Sequence, residues 1–525
     1  MTHQRTAFDW CEPRDYYALL MEQGTGKTPI AINDAARRWS RGEIDVALAF
    51  APNGVQTNWT RREIPKHMPD WVPYRAAAWS SGMNKKEERA LQELLTGEGE
   101  LRVVTMNWEA LHTEGGVEFL RAFLKSRRVG CFMAGDESHR IKNPKAITTK
   151  ALMRHVVPKA DVRCIMSGTP ILNAPWDAFS QFAALHPSIL STESYTVFKS
   201  QYAEMLPPDH GVMRHVRMRM EAKLLRQFNG NQERVEEYLA KYTPQLVARD
   251  SITGLPRWRN LDKLEALIAP HAYRVLKKDC LDLPEKVYTQ RYFRMVIKQR
   301  AAYDLLKEEL RVRLEDGSLE PVARLAALQK LSQVVSGYVI VPGTTVVEKV
   351  IPLEKNPKVA ALVEELRDCL EAGEQVIIWA RFHEEIADIA RVLAEEKITY
   401  VEYHGQVTGK ARRSQAIDDF ESGAAQVFLS NQQAGGTGLT LIAPQSLAAQ
   451  MSVFYYTNSY SLGDRLQSED RAHRIGQNKT VRYVDFLAED SVDDSIVDAL
   501  RNKQDVAAIV TGDSRRAQLQ LLNFQ

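Results

Sequence analysis

What this chain lacks narrows its class before any motif is considered. Its five cysteines, Cys11, Cys131, Cys164, Cys280 and Cys369, stand far apart in 525 residues with no C-x-x-C pair. That spacing excludes a zinc-finger array and a disulfide framework, and it fits a reducing compartment. No apolar run is long enough to span a bilayer, and the polar opening MTHQRTAFDW has no signal-peptide pattern, so no membrane partner is expected. An excess of one charge is missing too. Lys plus Arg number 69 against 67 Asp plus Glu, which argues against a coat-like nucleic-acid binder while leaving room for a basic groove. With 44% hydrophobic residues and a length too great for one core, about two to four domains are expected.

What is present is organised around residues 18–28, ALLMEQGTGKT. A short apolar run leads into a glycine-rich turn, and Gly26-Lys27-Thr28 opens a helix. Across Gly24, Thr25 and Gly26 a tightly folded backbone can point successive N–H groups at phosphate oxygens. The helix N-terminus adds positive potential, Lys27 reaches the β- and γ-phosphates, and the Thr28 hydroxyl can ligate Mg²⁺. The strict G-x-x-x-x-G-K-[ST] pattern has glycine where Met21 stands. This looser variant implies a nucleoside triphosphate and says nothing of what its energy drives. Upstream, the Gln4 amide can offer adenine one donor and one acceptor.

Residues 44–50 (IDVALAF), 101–106 (LRVVTM), 129–134 (VGCFMA) and 162–166 (VRCIM) read as buried strands between helical stretches. The alternation predicts a parallel α/β sheet with ligands at the strand C-termini. The third strand runs into Asp136-Glu137-Ser138-His139. Asp136 can hold Mg²⁺ through water, and Glu137 can orient and deprotonate an attacking water. An isolated Asp-Glu pair reads as an exposed acidic turn; the preceding cradle favours the catalytic pair. The fourth strand ends in Ser167-Gly168-Thr169-Pro170, whose hydroxyls could bond the acidic motif.

The α/β rhythm stops over residues 187–262. Here residues 213–228 (MRHVRMRMEAKLLRQF) carry Arg214, Arg217, Arg219, Lys223 and Arg226 with few acids, as a solvated helix face or as a phosphate-contacting surface. Apolar residues at helical spacing over 295–314 and 322–335 predict long packed helices. A second α/β rhythm begins near Asn356, with a helix over 358–370 and strands over 375–380, 399–403 and 426–430 but no second GKT. Its contribution is legible in residues 467–477, QSEDRAHRIGQ. Arg471 and Arg474 are spaced one helical turn apart, so both guanidiniums are expected on one face. There they could act as fingers on a transferring phosphoryl group, or as salt-bridge partners of Glu469 and Asp470.

GTGKT, APN, DESH and SGTP resemble motifs I, Ia, II and III of superfamily 2 helicase-type ATPases, and RAHRIGQ resembles motif VI of the SNF2 family of DNA translocases. SGTPILN (167–173), KKDCLDLP (277–284), His404-Gly405 with Arg412 and Arg413, and GGTGLTL (435–441) extend the likeness over nearly the whole chain. The resemblance implies an α/β chain of two RecA-like parallel-sheet lobes with helical insertions between them. Residues 1–187 would form lobe 1, 188–262 a helical insertion, 263–286 the end of lobe 1, 287–350 a helical protrusion and hinge, and 351–525 lobe 2. It implies ATP and Mg²⁺, adding Gly438 and Gln467 to Gln4 at the nucleotide site. It also implies a phosphate-lined DNA groove touched by Pro52, Asn53, Thr105, Asn107, His404, Gly405, Gly436 and Thr437.

The activity so implied is DNA-dependent ATP hydrolysis that drives translocation on double-stranded or branched DNA, in replication-fork, recombination or repair remodelling. The alternatives are a strand-separating helicase and the motor subunit of a restriction or defence system. DESH, Thr440 and Q-x-E-D-R look closer to the annealing-helicase-like branch and to phage and bacterial relatives. A monomer is expected, in the cytoplasm of a bacterial or phage-infected cell, beside replication or recombination proteins.

Overall fold

The computed structural model describes residues 1–525 except 243–245, 251–255, 316–320, 342, 345, 408, 434–440, 443–449, 512 and 514–525. The first lobe is built on β1 (Tyr16–Met21), β2 (Val46–Ala51), β3 (Tyr74–Ala78), β4 (Leu101–Asn107), β5 (Cys131–Asp136), β6 (Val162–Met166) and β7 (Ala272–Val275). All are parallel, in the order β3-β4-β2-β5-β6-β1-β7. β2, VALAFA, is buried at every position, and β1 at all but its first. Strands covered by helices on both faces have no solvated side and so carry no polar alternation.

Register decides where the motifs meet. Asp136 at the end of β5 lies opposite Met166 of β6, and Met166 lies opposite Leu19 of β1. The loops after β1, β5 and β6 therefore open side by side at the carboxyl edge of the sheet, where ligands bind in open α/β folds. The two edge strands, YRAAA and AYRV, escape a sequence reading because neither is a continuous apolar run; pairing with an inner neighbour holds them in place.

The second lobe uses β8 (Lys286–Phe293), β11 (Gln375–Trp379), β12 (Tyr400–Tyr403), β13 (Val427–Ser430), β14 (Met451–Tyr455) and β15 (Val481–Ala488); a separate small hairpin joins β9 (Tyr338–Ile340) and β10 (Val347–Lys349). Its order is β12-β13-β11-β14-β15-β8, again parallel throughout. β8 pairs with β15 from Lys286↔Val481 to Phe293↔Ala488. Residues 287–293, expected in a helical protrusion, thus form an edge of the second sheet. Their mixed sequence VYTQRYF is that of a half-exposed edge strand rather than a buried one.

After β8 come the helices Ile297–Glu315 and Pro321–Val335. The insertion carries the helices Gly211–Gln227 and Gln232–Tyr242, joined by Leu224, Val235 and Leu239. Arg214, Arg217, Arg219, Lys223 and Arg226 are all exposed on the first of these. The long helix Val492–Val510 starts in the second-lobe core with Val492, Ile496 and Leu500. Its end, Val506 and Val510, packs with Ile171, Phe179, Leu264 and Ile268 of the first lobe. No helix among the described residues is long and apolar enough to cross a membrane.

Candidate nucleotide-binding cleft

The cradle is held from below and from the side. After β1 the chain turns through Gly24 and Gly26, at φ +81° and +94°, and the helix Lys27–Ser40 begins. These left-handed backbone angles favour glycine. A Cβ on Gly26 would also lie 1.8 Å from Gln4 Nε2. The Thr25 hydroxyl donates to the Glu22 carbonyl at 2.7 Å, and the Thr25 carbonyl accepts from Gln4 Nε2 at 3.3 Å and meets His3 Nε2 at 2.8 Å. The N-terminal helix Thr2–Cys11 therefore leans on the loop, and Gln4 touches the cradle backbone. Lys27, 8% exposed, donates from Nζ to the carbonyls of Met21 at 2.7 Å and Glu22 at 3.3 Å.

The acidic pair sits at the end of β5. Asp136 is buried, and Trp108 Nε1 donates to its carbonyl at 2.8 Å. Burial pushes its carboxyl up to about 7, the charge of Glu137 adds to this, and Lys27 opposes it. Glu137 moves the other way. Burial would raise it, but the hydrogen bond and charge of His139, then Lys27 and Gln23, bring it down to about 2. His139 Nδ1 lies 3.3 Å from Glu137 Oε2 and 3.4 Å from Ser167 Oγ, and Gln23 Nε2 donates to Glu137 Oε1 at 3.4 Å. Ser167 thus reaches the acidic motif through His139. The two adjacent carboxyls are thus shifted in opposite directions, Asp136 up by burial and Glu137 down by its contacts with His139, Lys27 and Gln23.

The second lobe closes the cleft. The helix Leu462–Ala472 ends at a C-cap on His473, so Arg474 lies beyond the helix and not on its next turn, which corrects the one-face expectation. Both arginines nonetheless line one cavity of about 170 Å³ with Gln23, Gly24, Lys27 and Thr28 from the cradle, Pro52 and Val55 after β2, Asp136, Glu137, His139 and Arg140 after β5, and Gln467 from the second lobe. Burial, then the adjacent Arg474, push Arg471 down to about 10, with Asp470 and Glu137 opposing; burial also lowers Arg474. Two desolvated guanidiniums and one ammonium around a small cavity favour a polyanion.

No role in the site was expected of Gln23, His139 or Arg140, although Gln23 lies within residues 18–28, His139 closes the DESH motif and Arg140 follows it. Among the expected groove residues, Asn53 and Gly405 are exposed, and Pro52 is buried and lines the cavity shared by the cradle and the arginines. His404 is buried, with Nε2 2.9 Å from Glu402 Oε2. Thr105 does not fit a groove: it is fully buried in β4 and its hydroxyl donates to the Gln56 carbonyl at 2.8 Å. With both faces of the sheet covered, that side chain cannot reach a surface. Gly436, Thr437, Gly438 and Thr440 lie outside the described residues.

Paired parallel-sheet lobes, with a GKT glycine turn on one and an arginine pair from the other lining one cavity, define the two-lobed P-loop class. The SNF2-related domain matches residues 19–335 and the helicase conserved C-terminal domain matches residues 357–476; the chain belongs to the SNF2-related family. It is 22% identical over 500 residues to a Danio rerio SWI/SNF-related matrix-associated actin-dependent regulator of chromatin (subfamily A containing DEAD/H box 1A), covering 91% of this chain and 48% of that protein. It is 24% identical over 493 residues to an uncharacterized ATP-dependent helicase of Mycoplasma genitalium, covering 93% and 39%. The chain thus spans about half or less of the length of these curated relatives. Among solved structures, the Sulfolobus solfataricus SWI2/SNF2 ATPase core in complex with dsDNA aligns over 98% of this chain and 94% of that one, at 21% identity and a TM-score of 0.37.

Proposed function

We propose that the chain is a DNA-dependent ATPase that couples closure of its two lobes to translocation on double-stranded or branched DNA, which it remodels. One observation carries this reading: Lys27, Asp136 and Glu137 of the first lobe share a single cavity with Gln467, Arg471 and Arg474 of the second. A hydrolytic set divided between two bodies makes turnover conditional on their relative position, as a motor needs and a passive clamp does not.

Within that cavity Lys27 and the cradle amides hold the phosphates. Asp136 and the Thr28 hydroxyl would hold Mg²⁺, and a carboxyl buried beside a second carboxylate fits that role. The cation supplies charge neutralisation on the phosphate oxygens. Glu137, kept ionised by His139, accepts a proton from the attacking water. Arg471 and Arg474 stabilise the charge that develops on the transferred phosphoryl group. DNA is gripped by its phosphates near Asn53 and Gly405, with little base readout and a steep loss of affinity with salt.

The test is the steady-state ATPase rate without nucleic acid and with single-stranded DNA, duplex, a four-way junction or structured RNA, all at one salt concentration. Duplex or junction is expected to stimulate well beyond single strands. Equal rates with and without DNA would overturn the reading, and stimulation by single strands or RNA alone would move the function to a conventional helicase.

A further inference from the structure

One lysine touches both halves of the cleft without lining it. Lys277 follows β7, the edge strand beside β1, and is 5% exposed. Its backbone N–H donates to Glu22 Oε2 at 2.6 Å. Glu22 is the first residue of the cradle: its own N–H donates to the Val275 carbonyl at 3.0 Å, and its carbonyl accepts from both Thr25 and Lys27. On the other side, Lys277 Nζ donates to Asp470 Oδ1 at 2.5 Å and to the His473 carbonyl at 2.9 Å. Asp470 and His473 bracket Arg471, and His473 immediately precedes Arg474. Nearby, Lys286 Nζ donates to Glu469 Oε2 at 3.0 Å, and His473 Nε2 lies 2.7 Å from the Pro284 carbonyl.

We infer that Lys277 is a positioning residue: a latch between the lobes that ties the first cradle residue to the segment carrying Arg471 and Arg474 and so sets the height of the arginines over the phosphate site. The inference rests on the proposed hydrolysis of ATP in this cleft. Two features favour a latch over a generic surface ion pair. The ammonium is buried, so its contacts are little screened by salt. Its carbonyl contact is to the residue at which the helix Leu462–Ala472 stops, where the chain direction that aims Arg474 is decided. A buried charge with two fixed acceptors holds a geometry that an apolar residue of similar length cannot hold.

Two measurements on the full chain test the latch. In steady-state kinetics Lys277→Met lowers the DNA-stimulated kcat on the order of 10²-fold, the scale of a misplacement near 1 Å, with KM for ATP unchanged; Lys277→Arg recovers a substantial part. In hydrogen exchange of the nucleotide-free protein, Lys277→Met accelerates exchange in residues 22–26 and 470–477 together, while β2 and β13 stay protected. The latch is overturned if kcat stays within about twofold of wild type, if the loss appears only in KM, or if only one of the two segments loosens. If the wild-type protein hydrolyses no ATP with any nucleic acid, the proposed function fails and the exchange measurement alone decides the latch. General unfolding, with β2 and β13 exchanging as well, hands the decision to the Lys277→Arg variant. Its ammonium-to-guanidinium change must keep both segments protected for the latch to stand.

Discussion

The two lobes share an architecture and differ at the same edge of it. In each, parallel strands present loops at their carboxyl ends. The loop after β1 contains Gly24 and Gly26 in left-handed conformations ahead of a helix, whereas β11 runs into Ala380, Arg381 and Phe382 with no glycine and no cradle. In the first lobe Lys27 and Asp136, both buried, and the half-buried Glu137 face a cavity. Many of the buried charges in the second satisfy one another: Arg465 donates to Glu469 and Asp485, and Lys286 and Tyr288 donate to Glu469. Among the described residues, the Arg465, Glu469, Asp485 and Lys286 cluster of the second lobe is neutralised internally, whereas Lys27, Asp136 and Glu137 line a cavity that Arg471 and Arg474 also reach. The lesson is that the scaffold is duplicated while function depends on which loop ends are left open.

The division of labour can be broken from either side. Removing the second lobe's contribution is expected to have the largest effect: Arg474→Ala lowers the hydrolysis rate by about 10³-fold or more while nucleotide binding persists, as measured by single-turnover hydrolysis beside a fluorescent-nucleotide titration. Retained turnover would mean that the lobes do not share the reaction. Disabling the proposed base on the first lobe comes next. Glu137→Gln should bind ATP normally and cleave it about 10²- to 10⁴-fold more slowly, and an unaltered rate would remove Glu137 from the chemistry.

The internally neutralised cluster predicts a pH effect on stability instead of activity. Burial works to raise Glu469, but Lys286, Arg465 and the Tyr288 hydroxyl hold it down at about 2 against an ordinary 4.5. The unfolded chain therefore binds this proton more readily than the folded one. The stabilisation is complete above about pH 4.5 and disappears as pH falls toward 2, amounting to about 3 kcal/mol. Denaturant unfolding between pH 6 and 2 should show this acid slope in the wild type and a flatter one in Glu469→Gln. Matching slopes would show that the charge cluster does not hold the second lobe together. The smallest effect is expected at Thr105. Thr105→Val removes one buried hydrogen bond, at about 1 kcal/mol of stability, and leaves DNA affinity in a fluorescence-anisotropy titration unchanged. A weakened affinity at equal stability would return Thr105 to the groove.

Much of the first lobe was legible because its signals are contiguous. Residues 18–28 contain the whole cradle, and residues 162–166 match β6 residue for residue. Strands recognised by unbroken apolar runs, β2, β4, β5, β11 and β13, lie within about two residues of their expected bounds. What escaped either lacks a continuous buried apolar run, as at the half-exposed β8 with Val287, Tyr288 and Tyr292 on its surface, or depends on a partner, as with His3 meeting Thr25 and His139 beside Glu137. The Arg471 and Arg474 spacing was read as a helical turn, yet the helix stops at Ala472, and the His473 that follows contacts Lys277 and Pro284 instead of continuing it.

By itself the sequence determined the chemical groups: a glycine turn that can hold phosphate, a carboxylate pair at a strand end, and a pair of arginines some 450 residues later in the chain. These follow from local backbone geometry and side-chain chemistry, which a short stretch carries entirely. Only the tertiary structure decided that the groups share one cavity, that Thr105 faces inward, that residues 287–293 extend the second sheet, and that Lys277 stands between cradle and arginines. Each of these depends on strand order, register or lobe contact between residues far apart in sequence, and such pairings are set by the packing of whole elements.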